Sequence, residues 1–412
     1  MLVPWIFLGV SVWGGLFTLN ALRPFRRWWP GIGLGFFPAW LTTELALHHL
    51  AVQGLVAAAF VSYGALSAWP GELAAAITLL SWMGLVALFV GAHRDGRRVR
   101  RALRAVIGDL EPLRSPSGAP VSWALDWMRV VNPFWMRDPA VKRIVDLSYA
   151  DDGRSRHRLD IYRPRAGVSH APVIIQIHGG AWVLGDKAQQ GLPILYHLAA
   201  KGWICVAINY ALSPRDPWPA QLVDCKRALA WVREHIAEHD GDPDFVVVTG
   251  GSAGGHLASM MALTANDPKW QPGFEDVNTS VRGFIPFYGV YDWTNRFGIR
   301  RRADRLADLL ARLVVKATLD DASEIYADAS PMNHLEGPIP PAMVIHGTHD
   351  TRAPVEEARR FVAMLEEHSD QPVVYAEMQG AHHAFEVFAS VRAMHAVRGV
   401  EAFLAWLVRD RT

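Results

Sequence analysis

The residue that could do the most demanding chemistry in this chain is a serine between glycines. Ser252 stands in the run GGSAGG, directly after the β-branched run Val246 to Val248 and before a stretch that can form a helix. Such a corner, a nucleophile elbow, lifts the hydroxyl above a sheet and sets it at a helix N-terminus, where N–H groups favour developing negative charge. The pattern therefore indicates nucleophilic attack on a carbonyl carbon. A Gly-rich turn capped by Ser252 would look the same, so partners elsewhere must decide.

The partners that such a serine needs follow it along the chain. Asp350 comes after a buried strand predicted at 342–345, and His382 and His383 come after a strand predicted at 373–378. The order Ser, Asp, His, with each member at the C-terminal end of a strand, is that of the α/β-hydrolases and differs from two protease orders. In such a triad the histidine is the base and the aspartate orients it. The order alone does not decide whether His382 or His383 is the base.

An oxyanion loop is expected before the elbow. A buried strand predicted at 173–177 runs into His178-Gly179-Gly180-Ala181, which resembles the oxyanion loop of lipases and esterases. In that loop glycines let backbone amides point at the carbonyl oxygen of the substrate. The resemblance assigns this role to Gly179 and Gly180, with a third amide from Ala253 after the nucleophile. His178 is expected to brace the loop, and Ala181 is expected to support it.

These motifs together resemble the hormone-sensitive-lipase-like esterases and, among them, the membrane-linked Lip-type carboxylesterases of actinobacteria. The resemblance runs from about Leu147 to Leu407. It includes HGGAWVLGD at 178–186, YALSP at 210–214, GGSAGG at 250–255, HGTHD at 346–350 and HAF at 383–385. The family pattern G-x-x-H-x-F places the base at His383. Two departures concern the shape of the acyl pocket: Ala181 replaces a fourth glycine, and Gly251 stands where the family often has an acidic residue or threonine.

Strands alternating with helices must position these side chains. The strands after 170 are continuously apolar, which is typical of a parallel sheet covered on both faces. The sequence therefore predicts an α/β-hydrolase fold over 147–412, a mostly parallel doubly wound sheet with a helical cap. An insertion at about 291–341 has apolar residues at helical spacing opposite Arg302, Arg305 and Arg312. Its position between the elbow and the acid predicts a cap segment. A bundle core would give the same pattern.

The first 104 residues are predicted to be a membrane region, in keeping with a hydrophobic content of 51%. Met1 to Leu22, Leu45 to Trp69 and Leu73 to Ala92 are each long enough to span a bilayer, which needs about 20 residues. Trp28 to Trp40 is too short and is predicted to lie at the interface. Residues 105–146 are predicted to be a linker followed by an aromatic, apolar segment. That segment is either an N-terminal cap or a membrane-surface segment.

Arginines set the predicted orientation. Basic residues follow the first and third spans: Arg23, Arg26, Arg27, Arg94, Arg97, Arg98, Arg100, Arg101 and Arg104. By the positive-inside rule both segments are cytoplasmic. We therefore expect an integral protein of the plasma or inner membrane with a cytoplasmic catalytic domain. We also expect a hydrolase to remain after removal of residues 1–104.

Charge and cysteine content narrow the function further. A net charge of +1 gives no case for nucleic acid as a partner, and the two cysteines, Cys205 and Cys225, suggest core packing and neither a disulfide framework nor a metal site. The sequence predicts a membrane-anchored serine carboxylester hydrolase that needs no metal or cofactor and acts on a short- to medium-chain or lipid-derived ester. Alternatives are an amide or formamide hydrolase or deacetylase on this fold, and a catalytically silent membrane-bound binding protein. The oligomeric state is not predicted.

Overall fold

An eight-stranded sheet forms the centre of the C-terminal part of the protein in the computed structural model, which describes residues 2–24, 35–300 and 305–409. The strands are β1 (Val141–Ser148), β2 (Arg158–Pro164), β3 (Ala171–Ile177), β4 (Ile204–Ile208), β5 (Gly241–Gly251), β6 (Gly283–Phe287), β7 (Ala342–Gly347) and β8 (Val373–Met378). Their order is β1-β2-β4-β3-β5-β6-β7-β8. Strand β2 is antiparallel to both neighbours, the six strands β3 to β8 are parallel to one another, and β1 at the edge pairs only with β2. The predicted mostly parallel, doubly wound sheet is confirmed.

Helices cover both faces of this sheet, which is why its inner strands are apolar throughout. One face is covered by α7 (Ala220–His235), α8 (Ala253–Leu263) and α11 (Val355–His368). The other is covered by α6 (Leu192–Ala200) and α12 (Val391–Val408). Every residue of β3 is buried, because it lies in the middle of the sheet between β4 and β5. Because β5, β7 and β8 are parallel, their C-terminal ends lie at the same edge of the sheet.

The insertion between β6 and β7 contains two short helices, α9 (Arg305–Leu309) and α10 (Ser323–Asp328). A π-helical turn at Leu310–Val314 continues α9. Leu310 and Val314 are buried in the same hydrophobic cluster as Trp218, whose backbone N–H donates to the carbonyl of Val314 at 2.9 Å. The predicted apolar stripe is thus packed onto the hydrolase core. Arg302, which we predicted on its polar side, lies outside the described residues.

The N-terminal region is helical, with α1 (Leu2–Leu22), α2 (Phe37–Glu44), α3 (Ala46–Ser62) and α4 (Trp69–Ile107). Among the described residues, α1 and α4 are long and apolar enough to cross a membrane. Helices α2 and α3 pass the same test together but are bent by 93° at their junction, so the described residues contain two candidate spans, or three if this pair counts as one. Of the predicted interfacial stretch 28–40, residues 28–34 lie outside the part that the structure describes, as do Arg26 and Arg27, and residues 37–40 form the start of α2.

Helices α1 and α4 run in the same direction and pack directly against each other, and α3 runs in the opposite direction beside them. One hydrophobic cluster joins Phe7, Ala57 and Ala74, and a second, nearer the sheet, joins Ala21, Ala46 and Leu85. Hydrogen bonds between side chains tie the three helices together at mid-length. They are Thr18 to Ser81 at 2.8 Å, Ser81 to Gln53 at 2.9 Å and Thr78 to Ser11 at 2.9 Å. Such hydrogen bonds commonly stabilise the contact between helices in apolar surroundings.

Helix α4 is one continuous element of 39 residues that passes through the predicted boundary at residue 104. Val99, Leu103 and Ile107 belong to the hydrophobic core on the α6 and α12 face of the sheet. A Cβ atom on Gly399 of α12 would lie 2.4 Å from a methyl of Val99, so the two helices are in close contact. The break predicted at residues 70–72 lies earlier, at 63–68. Pro70 is tolerated in the first turn of α4, where its missing N–H has no partner to lose.

The predicted aromatic, apolar segment before β1 is only partly packed. Val130 in α5 (Trp127–Val131) is buried in a small cluster with Ala92 of α4 and with Val391 and Met394 of α12. The opposite side of this segment is exposed, with large apolar side chains between 51% and 81% accessible: Trp127, Met128, Val131, Phe134 and Trp135. The segment therefore lies beside the end of the apolar half of α4 and presents apolar side chains outward.

Candidate active site

Ser252 occupies a strained corner between β5 and α8. Its backbone has φ of 59° and ψ of −119°, a conformation that side-chain-bearing residues adopt rarely and mostly at functional sites. Close contacts explain the glycines around it. A Cβ atom on Gly254 would lie 2.1 Å from the carbonyl oxygen of Ile177, and one on Gly250 would lie 2.5 Å from that of Gly254. Only glycine fits at these positions, so the sequence GGSAGG folds into the elbow that it predicts.

Tyr288 explains the unusual Gly251. A Cβ atom at Gly251 would lie 2.6 Å from the phenol oxygen of Tyr288, which follows β6 directly. The Tyr288 hydroxyl donates a hydrogen bond to Glu386, and both side chains are buried. Burial, partly offset by this bond, raises the pKa of Glu386 to about 7. A buried carboxyl thus lies one hydrogen bond from the tyrosine that contacts Gly251, the residue before Ser252.

Sequence reasoning did not single out Tyr288 and Glu386. One positional signal exists for each: Tyr288 directly follows the apolar run that forms β6, and Glu386 directly follows the HAF motif. Neither signal predicts that the two side chains meet, because 98 residues separate them.

Asp350 and His383 are joined by a short hydrogen bond. The Nδ1 atom of His383 lies 2.7 Å from Oδ2 of Asp350, while the backbone N–H groups of Arg352 and Ala353 donate to Oδ1 at 2.7 and 2.9 Å. Burial alone would raise the pKa of the Asp350 carboxyl. The adjacent His383 and His346 outweigh burial and hold that pKa well below its usual range. Asp350 is therefore ionised near neutral pH and fixed in the orientation that holds the His383 ring.

His382 faces the opposite direction from its neighbour. It is 1% exposed, and its Nε2 atom donates to the carbonyl of Ala21 in α1 at 3.4 Å. Burial and the nearby His349 lower the pKa of His382 to about 3, so this ring is neutral near physiological pH. The His383 side chain keeps 12% exposure, and its ring lies 4.5 Å from the ring of Tyr288. Of the two adjacent histidines, only His383 contacts Asp350 within the described residues.

Tyr288 connects the two halves of the site, since it contacts His383 and also lies against Gly251 before the serine. Among the hydrogen bonds of the described residues, none joins the Ser252 hydroxyl to His383. Such catalytic bonds are often long outside the substrate complex and shorten when substrate binds. The structure therefore brings Asp350 and His383 into direct contact. Tyr288 lies between this pair and Ser252, because it contacts both His383 and Gly251.

The predicted oxyanion loop lies against Ser252. A Cβ atom on Gly179 would be 3.2 Å from Cβ of Ser252, so its backbone directly adjoins the elbow. The Gly179 N–H donates to Oε1 of Gln190 at 2.7 Å. Gly180 has φ of 121° and Ala181 has φ of 53°, so the alanine keeps the left-handed conformation that a fourth glycine would favour. The Gln190 contact was not predicted.

His178 braces this loop through contacts on both ring nitrogens. Arg156 donates from Nη2 to Nε2 of His178 at 2.9 Å, so Nδ1 carries the proton and donates to the carbonyl of Gly179 at 2.8 Å. The Tyr210 ring stacks on the imidazole at 4.3 Å, and its hydroxyl donates to the His178 carbonyl at 2.9 Å. Burial lowers the pKa of His178 to about 4, so the ring is a fixed, neutral support.

Comparisons with known proteins show which esterases this chain resembles. The family described as BD-FAE matches residues 159–365. The chain is 41% identical over 412 residues to the "Probable carboxylic ester hydrolase LipM" of Mycobacterium tuberculosis, covering 94% of this chain and 90% of that protein. It is 40% identical to "Esterase LipC" of the same organism, covering 78% and 79%. A crystal structure of esterase B from Lactobacillus rhamnosis has a TM-score of 0.57 at 21% identity, covers 67% of this chain and 90% of that one, and shows the shared fold.

Proposed function

The chain belongs to the BD-FAE family and is a carboxylic ester hydrolase, and from this premise we propose that it acts through a covalent acyl-enzyme formed on Ser252. The observation that carries the proposal is the bond of 2.7 Å between His383 and Asp350 next to the strained elbow that presents Ser252. This geometry supports the triad Ser252, His383 and Asp350, with each member at the end of a parallel strand.

In the proposed mechanism, His383 Nε2 takes the proton of the Ser252 hydroxyl while Oγ forms a bond to the ester carbonyl carbon. The tetrahedral intermediate collapses, the alcohol leaves with the proton from His383, and the acyl group stays on Ser252. Water then attacks the acyl-enzyme through the same base and releases the carboxylic acid. Asp350 remains ionised throughout and stabilises the imidazolium, in line with its depressed pKa. No step in this sequence calls on a metal or a cofactor.

The oxyanion of that intermediate requires backbone donors beside Ser252. We assign this role to the amides of Gly180 and Ala253. Ala253 is the first residue of α8, where the helix leaves its N–H without an intrahelical partner. Gly179 belongs to the same loop, but its amide contributes only if Gln190 releases it. Ala181 and His178 hold the loop in place.

For the substrate, we propose an ester with an apolar acyl chain, including lipid-derived esters. Aromatic side chains from the N-terminal region extend to the proposed base: the ring of Phe36 lies 6.5 Å from that of His383, and it stacks on Trp40 at 5.9 Å. Trp40 in turn contacts Phe388, which contacts Phe134. Together they form an apolar wall suited to an alkyl chain and unsuited to a charged acyl group.

A panel of p-nitrophenyl esters tests this function. We expect kcat/KM to rise about tenfold or more from acetate to octanoate, since each methylene buried against the apolar wall contributes about 0.8 kcal/mol. The matching p-nitroanilides should react far more slowly than the esters. Faster anilide than ester hydrolysis would favour the amidase and deacetylase alternatives, and a flat series would contradict the proposed wall.

We also propose that the chain is an integral membrane protein with α1, the α2–α3 pair and α4 as three spans, followed by the segment 105–146 and the hydrolase domain 147–412. The ends of α1 and α4 both contact the hydrolase, so the chain has to return across the bilayer between them, and α3 has the opposite direction and about 25 Å of length for this. The exposed apolar side chains at 127–135 support a membrane-surface segment over a cap there. The cap role remains with 291–341.

A C-terminal tag tests the orientation. Arg23 follows α1, and six arginines occupy the last part of α4, so the positive-inside rule places both ends and the hydrolase in the cytoplasm. We expect protease added to whole cells to leave the tag intact and to digest it after the membrane is opened. A tag inserted in the short 63–68 connection should be digested by protease added to whole cells. Digestion of the C-terminal tag on intact cells would overturn the orientation without affecting the proposed triad.

A further inference from the structure

The segment that carries His383, between β8 and α12, is bonded to the N-terminal helices α1, α2 and α4. The backbone N–H of Gln379 donates to Oδ1 of Asp95 in α4 at 3.1 Å. The indole N–H of Trp40 in α2 donates to the carbonyl of Ala384 at 3.0 Å. His382 donates to the carbonyl of Ala21 in α1. The residues on both sides of His383 are therefore tied to the helices that we assign to the membrane.

A buried ionic cluster reinforces these ties. Arg392, 1% exposed at the start of α12, donates from Nε to Asp95 at 2.8 Å and from Nη1 to Glu44 at 2.5 Å, and its Nη2 donates to the carbonyl of Gln379 at 3.2 Å. Ser390 donates to the other oxygen of Glu44 at 2.7 Å. The side chains of Glu44 and Asp95 have no exposed surface. Both the N–H and the C=O of Gln379 are thus held by this cluster.

Burying three charged side chains is an inefficient way to gain stability. The loss of hydration offsets most of their mutual attraction, and well-packed apolar residues of similar size often serve as well or better. Hydrogen bonds from such a cluster do, however, fix geometry, and here they end on the backbone that precedes His383 by four residues. A shift of about 1 Å in a catalytic group can reduce turnover on the order of 100-fold.

We propose that the membrane helices hold His383 in register with Asp350, so that they form a structural part of the active site in addition to an anchor. Asp95, Glu44 and Trp40 are positioning residues that act through Arg392 and the backbone of residues 379–384. The inference rests on the proposed role of His383 as the base. It adds that the base depends on residues nearly 300 or more positions earlier in the chain.

Two matched pairs of variants in the full-length protein, reconstituted in lipid nanodiscs, test this inference. Trp40→Phe removes the N–H that donates to the Ala384 carbonyl. Trp82→Phe is its control, because the buried indole N–H of Trp82 in α4 has no hydrogen-bond partner among the described residues. Asp95→Asn removes the charge beside Gln379. Its control is Glu401→Gln, a buried carboxylate of α12 that bonds His197 and Ser115, away from the segment with His383.

The readouts are kcat and KM for a short soluble ester, per active site titrated with a fluorophosphonate, together with the melting temperature. We expect kcat to fall about 100-fold in Asp95→Asn and about fivefold in Trp40→Phe, the latter corresponding to one hydrogen bond, with KM little changed. Both controls should keep the kcat of the unchanged protein, even if Glu401→Gln melts earlier. If Asp95→Asn does not fold, the tryptophan pair decides.

Unchanged kcat per titrated site in Trp40→Phe and in folded Asp95→Asn would overturn the positioning role, and so would an equal fall in the controls. Those results would leave the proposed function intact, because titration at Ser252 reports it separately. If the fluorophosphonate did not label Ser252 in the unchanged protein, the proposed function would fail first.

Discussion

Ser252→Ala is expected to lower kcat for ester hydrolysis by about a millionfold, the scale measured when the nucleophile of a serine hydrolase triad is removed. The reason is that the proposed acyl-enzyme route needs the Ser252 oxygen, which the strained elbow presents beside the proposed oxyanion loop. A fluorophosphonate probe should label the unchanged protein at Ser252 and leave the variant unlabelled. Mass spectrometry of the labelled peptide identifies the modified residue.

Ser259→Ala is the matched control for this change. Ser259 lies two turns further along α8, is buried, and donates to the carbonyl of Gly255 at 2.9 Å. Its loss should leave labelling and kcat close to those of the unchanged protein. Substantial turnover by Ser252→Ala, or labelling at a different residue, would show that the proposed mechanism is wrong.

His383→Ala is expected to lower kcat nearly as far as Ser252→Ala does, whereas His382→Ala should lower kcat by about tenfold or less. The Nδ1 atom of His383 is bonded to Asp350, while His382 is turned toward Ala21 and kept neutral by burial. Rates of fluorophosphonate labelling at Ser252 provide the measurement, since they report how well the base activates the serine. The neighbouring variant serves as the control for general damage to this segment. The opposite ranking would move the base by one residue.

The sheet and its order along the chain could be predicted because each inner strand is a short apolar run with β-branched residues. β8 begins and ends where we predicted it, and β3 and β7 differ by two residues at one end. Strand β1 was not predicted. Its sequence VKRIVDLS is charged and half-exposed, as befits an edge strand, and neither continuous apolar character nor strict alternation marks it.

The proposed site could be predicted as far as its members are marked by local sequence. Ser252 and Asp350 follow recognisable strands, and the glycines beside Ser252 have direct steric reasons in the structure. The choice between His382 and His383 needed a family pattern, because both follow the same strand and only the direction of the side chain separates them. Ring contacts and buried bonds to Asp350 depend on the tertiary fold, which spacing along the chain does not give.

The contacts between the N-terminal helices and the hydrolase could not be predicted. Asp95 lies within an arginine-rich stretch that we interpreted through topology alone, and its partner Arg392 is 297 residues away. Deleting residues 1–104, which we expected to leave a hydrolase, would remove Val99 and Leu103 from the core and leave Arg392 without Asp95 and Glu44. An unpaired buried charge typically destabilises a protein by about 3–5 kcal/mol. A deletion that ends at residue 104 therefore cuts through α4 where this helix packs into the hydrolase core.

The unbroken course of α4 has a kinetic meaning. At 1.5 Å per residue its 39 residues extend about 58 Å, from the far side of the proposed bilayer into the hydrolase core, with no proline after its first turn. An enzyme mounted on such a rod cannot swing out to sample the bulk solution. Its encounters with lipid-derived esters would take place by lateral diffusion within one leaflet. The quantity that sets its rate is then the surface density of substrate in that leaflet, and dilution of the surrounding aqueous volume leaves that density unchanged.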